Sequence, residues 1–92
     1  MKYFVLKFNE RNGDFEYTHY HLYSQKDLEN LKFQGDDDDH IILSDFFCDY
    51  IDKSNDWGDG YWTSDGLRVV SYQGMTPVKK SELKTLEKVG IY

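Results

Sequence analysis

The chain has 92 residues, with 11 Lys and Arg against 17 Asp and Glu, and a formal net charge of −6 at pH 7. That length holds one domain with one core, and the acidity works against direct attraction to nucleic acid or to an anionic membrane. A single Cys excludes an intramolecular disulfide and favours a reducing, cytoplasmic setting, and no apolar run approaches a membrane span.

Six Phe, eight Tyr and two Trp supply the core volume of this short chain. Lys2 to Asn9 alternates, with Phe4, Leu6 and Phe8 on one side and Tyr3, Val5 and Lys7 on the other. Asn12-Gly13 then suits a tight turn, and Phe15 to Tyr23 alternates again, which predicts a hairpin. Ser24 followed by Asp27 reads as a helix start, with Leu28, Leu31 and Phe33 as its apolar face and Gln34-Gly35 as its end.

Asp36 to Asp39 repel one another and are expected in an exposed loop, after which Ile41-Ile42-Leu43 re-enters the core. Ser44 suits the cap of a second helix from Asp45 to about Ser54, burying Phe47, Cys48 and Ile51. Asp56 to Gly60 reads as loop. Tyr61 to Ser64 and Leu67 to Tyr72 flank Asp65-Gly66 as a second hairpin, and Thr76-Pro77 or Ser81 opens a last helix carrying Leu83, Leu86 and Val89 and closed by Gly90. The order ββααββα predicts a single α+β domain over residues 1–92, an antiparallel sheet of two hairpins with about three helices on one face.

The charge is unevenly placed. Twelve of the seventeen acids lie between Asp27 and Gly66, where Lys32 and Lys53 are the basic residues, so this stretch carries −10 and the remainder +4. Within it Asp45, Asp49, Asp52 and Asp56 fall at helical spacing, which on one helix would make a row about 16 Å long. Phosphates along one DNA strand rise about 3.4 Å each, a comparable scale, so a groove built for phosphates would accept such carboxylates. The plain alternative is a solvated helix face, at a cost of about 0.2 to 0.5 kcal/mol for each like-charged pair.

Other constellations are weaker. His19 and His21 share a strand face, where a metal would need a further ligand such as Glu16 or Asp14; otherwise they are partly buried polar aromatics. No calcium-loop pattern fits Asp36 to Asp39 or Asp52 to Asp59, and no phosphate loop, dinucleotide fingerprint or nucleophile elbow occurs. Cys48 falls on the face expected to be buried and reads as an inert core thiol. Trp57, Tyr61 and Trp62 fit core closure or a protein interface better than nucleobase stacking, given the surrounding charge.

Over its whole length, from Met1-Lys2-Tyr3-Phe4-Val5-Leu6-Lys7-Phe8 through the aspartate-dense centre to the Lys-rich stretch from Lys79 to Lys88, the chain resembles the Arn family, small early anti-restriction proteins of T-even coliphages. The resemblance implies a DNA mimic that occupies the DNA-binding surface of the McrBC restriction endonuclease, binding to DNA-binding proteins such as H-NS, and a homodimer in the infected cell's cytoplasm. It carries over no catalytic residue and no cofactor. Function on this reading lies in Asp36, Asp37, Asp38, Asp39, Asp45, Asp49, Asp52, Asp56 and Asp59, acting as substitutes for phosphates. The alternatives are an acidic interaction protein that does not imitate DNA, such as an antitoxin, immunity protein or host-takeover factor, and a small metal-dependent enzyme using His19 and His21.

Overall fold

The computed structural model describes residues 2–33 and 38–92. The first hairpin forms as expected: β1 (Tyr3–Asn12) pairs antiparallel with β2 (Phe15–Ser24) from Tyr3↔Ser24 to Asn12↔Phe15. Its two loop residues are Gly13 and Asp14, one position later than the Asn-Gly pair suggested. The positive φ falls on Gly13 at 61°, as the first central position of a type II′ turn requires.

Ser24 and Asp27 close a capping box: the Asp27 amide donates to Ser24 Oγ (3.1 Å) and the Ser24 amide to Asp27 Oδ2 (3.0 Å). These bonds hold the Asp27 carboxyl below its usual range, with the bond from the Ser24 backbone the larger cause. Helix α1 (Gln25–Asn30) is nevertheless shorter than expected. Lys32 takes the left-handed conformation (φ 57°), and the Lys32 and Phe33 amides return to the Glu29 and Leu28 carbonyls in a Schellman motif. Packing of Leu28 and Phe33 into one cluster accompanies that non-glycine stop. Gln34 and Gly35, the expected end, lie outside the described residues, as do Asp36 and Asp37 of the expected acidic loop.

Helix α2 spans Asp39–Phe47. A 3₁₀ turn (Lys53–Asn55) leads to β3 (Asp56–Trp57) and β4 (Gly60–Trp62), a short hairpin where a loop was expected. Gly58-Asp59 joins them with positive φ at Gly58, the same Gly-Asp chemistry as the first hairpin. Asp65-Gly66 turns as predicted: the Gly66 amide returns to the Thr63 carbonyl, and Asp65 accepts from Thr63 Oγ1 and the Leu67 amide, which lowers its carboxyl below the usual range.

β5 (Val69–Val78) runs longer than its hydrophobic pattern implied and pairs with β1 from Tyr3 to Arg11. The register slips between Lys7 and Phe8, where β5 carries an extra residue, Gln73, beside Gly74 (φ 116°). Pro77 lies inside this strand and opens no helix. β4 pairs with Val69 and Val70 alone, so at Pro77 the strand has a free side to which the missing N–H is no loss. The last helix therefore starts later, through a 3₁₀ turn (Lys80–Glu82) into α3 (Leu83–Lys88), and Gly90 (φ 83°) closes it in a second Schellman motif.

The result is one antiparallel sheet in the order β2-β1-β5-β4-β3, an α+β domain. Leu6 and Phe8 of β1, Tyr23 of β2 and Val70 of β5 meet Leu28, Ile42, Leu43 and Ile51 in a single buried cluster. Phe8 stacks on Phe46 of α2 with ring centroids 4.3 Å apart, and Phe47 meets it edge-on at 6.0 Å. Each such fully buried apolar side chain contributes about 1.5 to 3 kcal/mol.

Candidate acidic interface

The expected helix from Asp45 to Ser54 does not form, and the row of four aspartates goes with it. Ile42, Leu43, Phe46 and Phe47 recur at helical spacing, so the apolar face belongs to a helix starting at Asp39. Ser44, expected as an N-cap, sits inside it and donates from Oγ to the His40 carbonyl (2.8 Å). Cys48 ends the helix in the left-handed conformation (φ 53°), exposed to solvent, which corrects the reading of a buried thiol. Ile51 still reaches the core, in extended chain whose amide donates to Ser44 Oγ (3.0 Å). Of the four, Asp45 alone is helical. Asp49 is in the turn that follows, Asp52 caps the 3₁₀ turn by accepting from the Ser54 amide, and Asp56 opens β3.

Several of the acids turn inward. Asp39, half-buried in the first turn of α2 and not in a loop, accepts from Tyr61 Oη of β4 (2.6 Å). Asp45 accepts from Tyr23 Oη of β2 (2.9 Å). Strands β1 and β5 lie between β2 and β4, so the two phenols pin α2 across the sheet from both sides. The hydrogen bond to Asp39, aided by partial burial, pushes the Tyr61 phenol up to about 12. Burial first, then the bond to Asp45, drives Tyr23 higher still.

Asp49 is equally engaged. Its Oδ1 accepts from Ser64 Oγ (2.5 Å), and its Oδ2 lies 3.8 Å from Arg68 Nη2. Arg68 also reaches Glu10 (3.4 Å) and covers the Phe47 ring, its guanidinium carbon 5.8 Å from the centroid. Sequence reasoning missed Arg68 because its partners are 19 and 58 residues away; its position just after the Asp-Gly turn was the available signal.

Asp38 stands at the start of α2 without a side-chain capping bond. Asp56 and Asp59 are exposed on the β3–β4 hairpin, and Asp45 and Asp52 keep part of their carboxylates toward solvent. The β3–β4 hairpin pairs with the Val69 end of β5, whereas the Lys-rich α3 follows the Val78 end, about 30 Å away along the strand. Asp56 and Asp59 thus stand at the opposite end of β5 from the start of the Lys-rich stretch, although α1, with Asp27, begins at the Lys end and Arg11 and Arg68 lie at the Asp end.

His19 and His21 do share a face, as expected, but it is the face under α2. His19 Nε2 bonds Glu10 Oε1 (2.9 Å), and both rings pack against Phe46. Among the described residues no three His, Cys, Asp or Glu side chains gather as metal ligands. The three aromatics of the 57–62 segment divide: Tyr61 joins the core side, while Trp57 and Trp62 lie on the opposite face with centroids 6.1 Å apart. No helix among the described residues is long and apolar enough to cross a membrane. No protein-family model, curated protein or solved structure matches this chain.

Proposed function

We propose that this chain is an acidic decoy that occupies the DNA-binding groove of a host protein, in the infected cell's cytoplasm, as the resemblance to the Arn family implies. A restriction endonuclease of the McrBC type is the first candidate partner and a nucleoid protein such as H-NS the second, with the decoy acting as a homodimer. The observation that carries the reading is the exposure of Asp56 and Asp59 on the hairpin at one end of the sheet, with half-buried Asp52 capping the turn that leads into it, while Lys79, Lys80, Lys84 and Lys88 follow the other end of β5. Exposed carboxylates grouped in this way draw in a cationic groove and orient the encounter. The mechanism is competitive occupation, without a reaction step.

One observation favours a second reading, an acidic interaction module that does not imitate DNA. Asp45, Asp49, Asp52 and Asp56 do not share a helix face, and Asp39 and Asp49 are committed to Tyr61, Ser64 and Arg68. Competition separates the two. With a McrBC-type endonuclease, added duplex DNA should displace the decoy. Changing Asp52, Asp56 and Asp59 together to Asn should relieve inhibition, and changing Glu82 and Glu87 to Gln should not. A complex that persists under excess duplex belongs to the second reading.

A further inference from the structure

A groove of about 380 Å³ lies on the sheet face turned away from α2. Its floor is Gly60, Val69 and Ser71, one wall is Trp57 with Asp59 at its turn, and the other is Arg11 and Asn9 of β1, with Glu16 beyond on β2. Gly60, the cross-strand partner of Trp57, is obligatory there, because a Cβ would stand 2.6 Å from the Val70 carbonyl oxygen, and the Trp57 indole is exposed. Trp62, tilted 60° to Trp57, adds a second exposed indole on the same hairpin.

We infer that the β3–β4 end of this groove receives an arginine side chain of the protein partner, its guanidinium stacked on Trp57 and hydrogen-bonded to Asp59. The inference rests on the proposed function for the partner's cationic character and goes further in naming the group it presents. Three features carry it. Exposed indole faces attract cations, and a guanidinium best of all, because it is planar and weakly hydrated. Asp59 is exposed two residues from Trp57, has no hydrogen bond or ion pair among the described residues, and so is open to a bidentate contact. Arg11 is three strand spacings from β3, about 14 Å, and stands directly across from Glu16, whose carboxylate also accepts from Asn9 (2.8 Å). The cation of the far wall thus has an acid as its cross-strand neighbour, and the hairpin wall carries only negative charge. A nucleic-acid strand bringing its phosphates past Asp59 and Asp56 is disfavoured by the same field.

Trp57 lines the groove and Trp62 lies on the same hairpin, so fluorescence excited selectively at tryptophan reports on this end of the sheet. Titration with acetyl-hexaarginine amide should give a saturable change, with hexalysine several-fold weaker. Asp59→Asn should weaken the arginine peptide at least fivefold and Trp57→Leu at least tenfold, while Glu87→Gln changes it less than twofold. On the unaltered protein, the bound arginine peptide should protect tryptophan from acrylamide quenching, a measurement that does not depend on any variant folding. A non-saturable response, an equal loss in Asp59→Asn and Glu87→Gln, or tighter binding of hexaglutamate through Arg11 overturns the inference. Because the peptide assay contains no DNA-binding partner, a failed groove leaves the decoy reading standing. A functional groove with no displacement of the decoy by duplex in the endonuclease assay removes the decoy reading alone.

Discussion

Ser44 Oγ accepts the backbone N–H of Ile51 at 3.0 Å, seven residues on and outside the helix that carries the serine. This bond latches the chain as it folds back under α2, with Ile51 in the core and Asp49 turned toward Arg68. Ser44→Ala should cost about 1 to 3 kcal/mol, the penalty of a buried amide left without its acceptor. Denaturant unfolding measures it, and a midpoint equal to that of the parent would show that the latch contributes nothing.

The phenols that pin α2 carry a pH signature. Tyr61 titrates near 12 against an ordinary 10.0, and Tyr23 is raised as well. Both states keep these protons below pH 10, where the two bonds contribute in full. Between 10 and about 12 the unfolded chain releases them first, so native stability falls as pH rises through that window. Ultraviolet titration should show late-ionising phenols, and Tyr61→Phe should remove one of them at a cost of about 1 kcal/mol at neutral pH. Uniform titration of all the tyrosines in the folded protein contradicts the pinning.

Gly60→Ala tests the close approach of β4 to β5. The added methyl meets backbone, which cannot rotate away, and overpacking of this kind costs about 1 to 3 kcal/mol. Amide exchange should accelerate in the β3–β4 hairpin and much less in the β1–β2 hairpin. Equal acceleration in both would mean that the sheet opens as one unit.

Association with a cationic partner should weaken as salt rises, since exposed charges are screened beyond about 8 Å at physiological ionic strength. The dependence should be shallower than that of duplex DNA on the same partner, because discrete carboxylates do not condense counterions as a duplex does. Isothermal titration across a salt series would settle this, with a flat series pointing to an apolar interface.

The local signals in the sequence were sound wherever short-range chemistry determines structure. Alternation around Phe4, Leu6 and Phe8, the Ser24/Asp27 box, the Asp65-Gly66 turn and the Gly90 stop are complete within a few residues, and each appears where its residues place it. The acidic excess of the middle segment is likewise a property of composition.

Tertiary structure decided the rest. The spacing of Asp45, Asp49, Asp52 and Asp56 matches a helix, but carboxylates at a helix C-terminus oppose its dipole, and burying Phe46, Phe47 and Ile51 together governs where that helix begins and ends. Whether an aspartate faces water or a partner depended on Tyr23, Tyr61, Ser64 and Arg68, each 15 to 22 residues away in the chain. Periodicity reports which side chains share a face only if the segment is helical. That condition was set by apolar burial across the sheet, which outweighs the few tenths of a kcal/mol at stake between neighbouring charges.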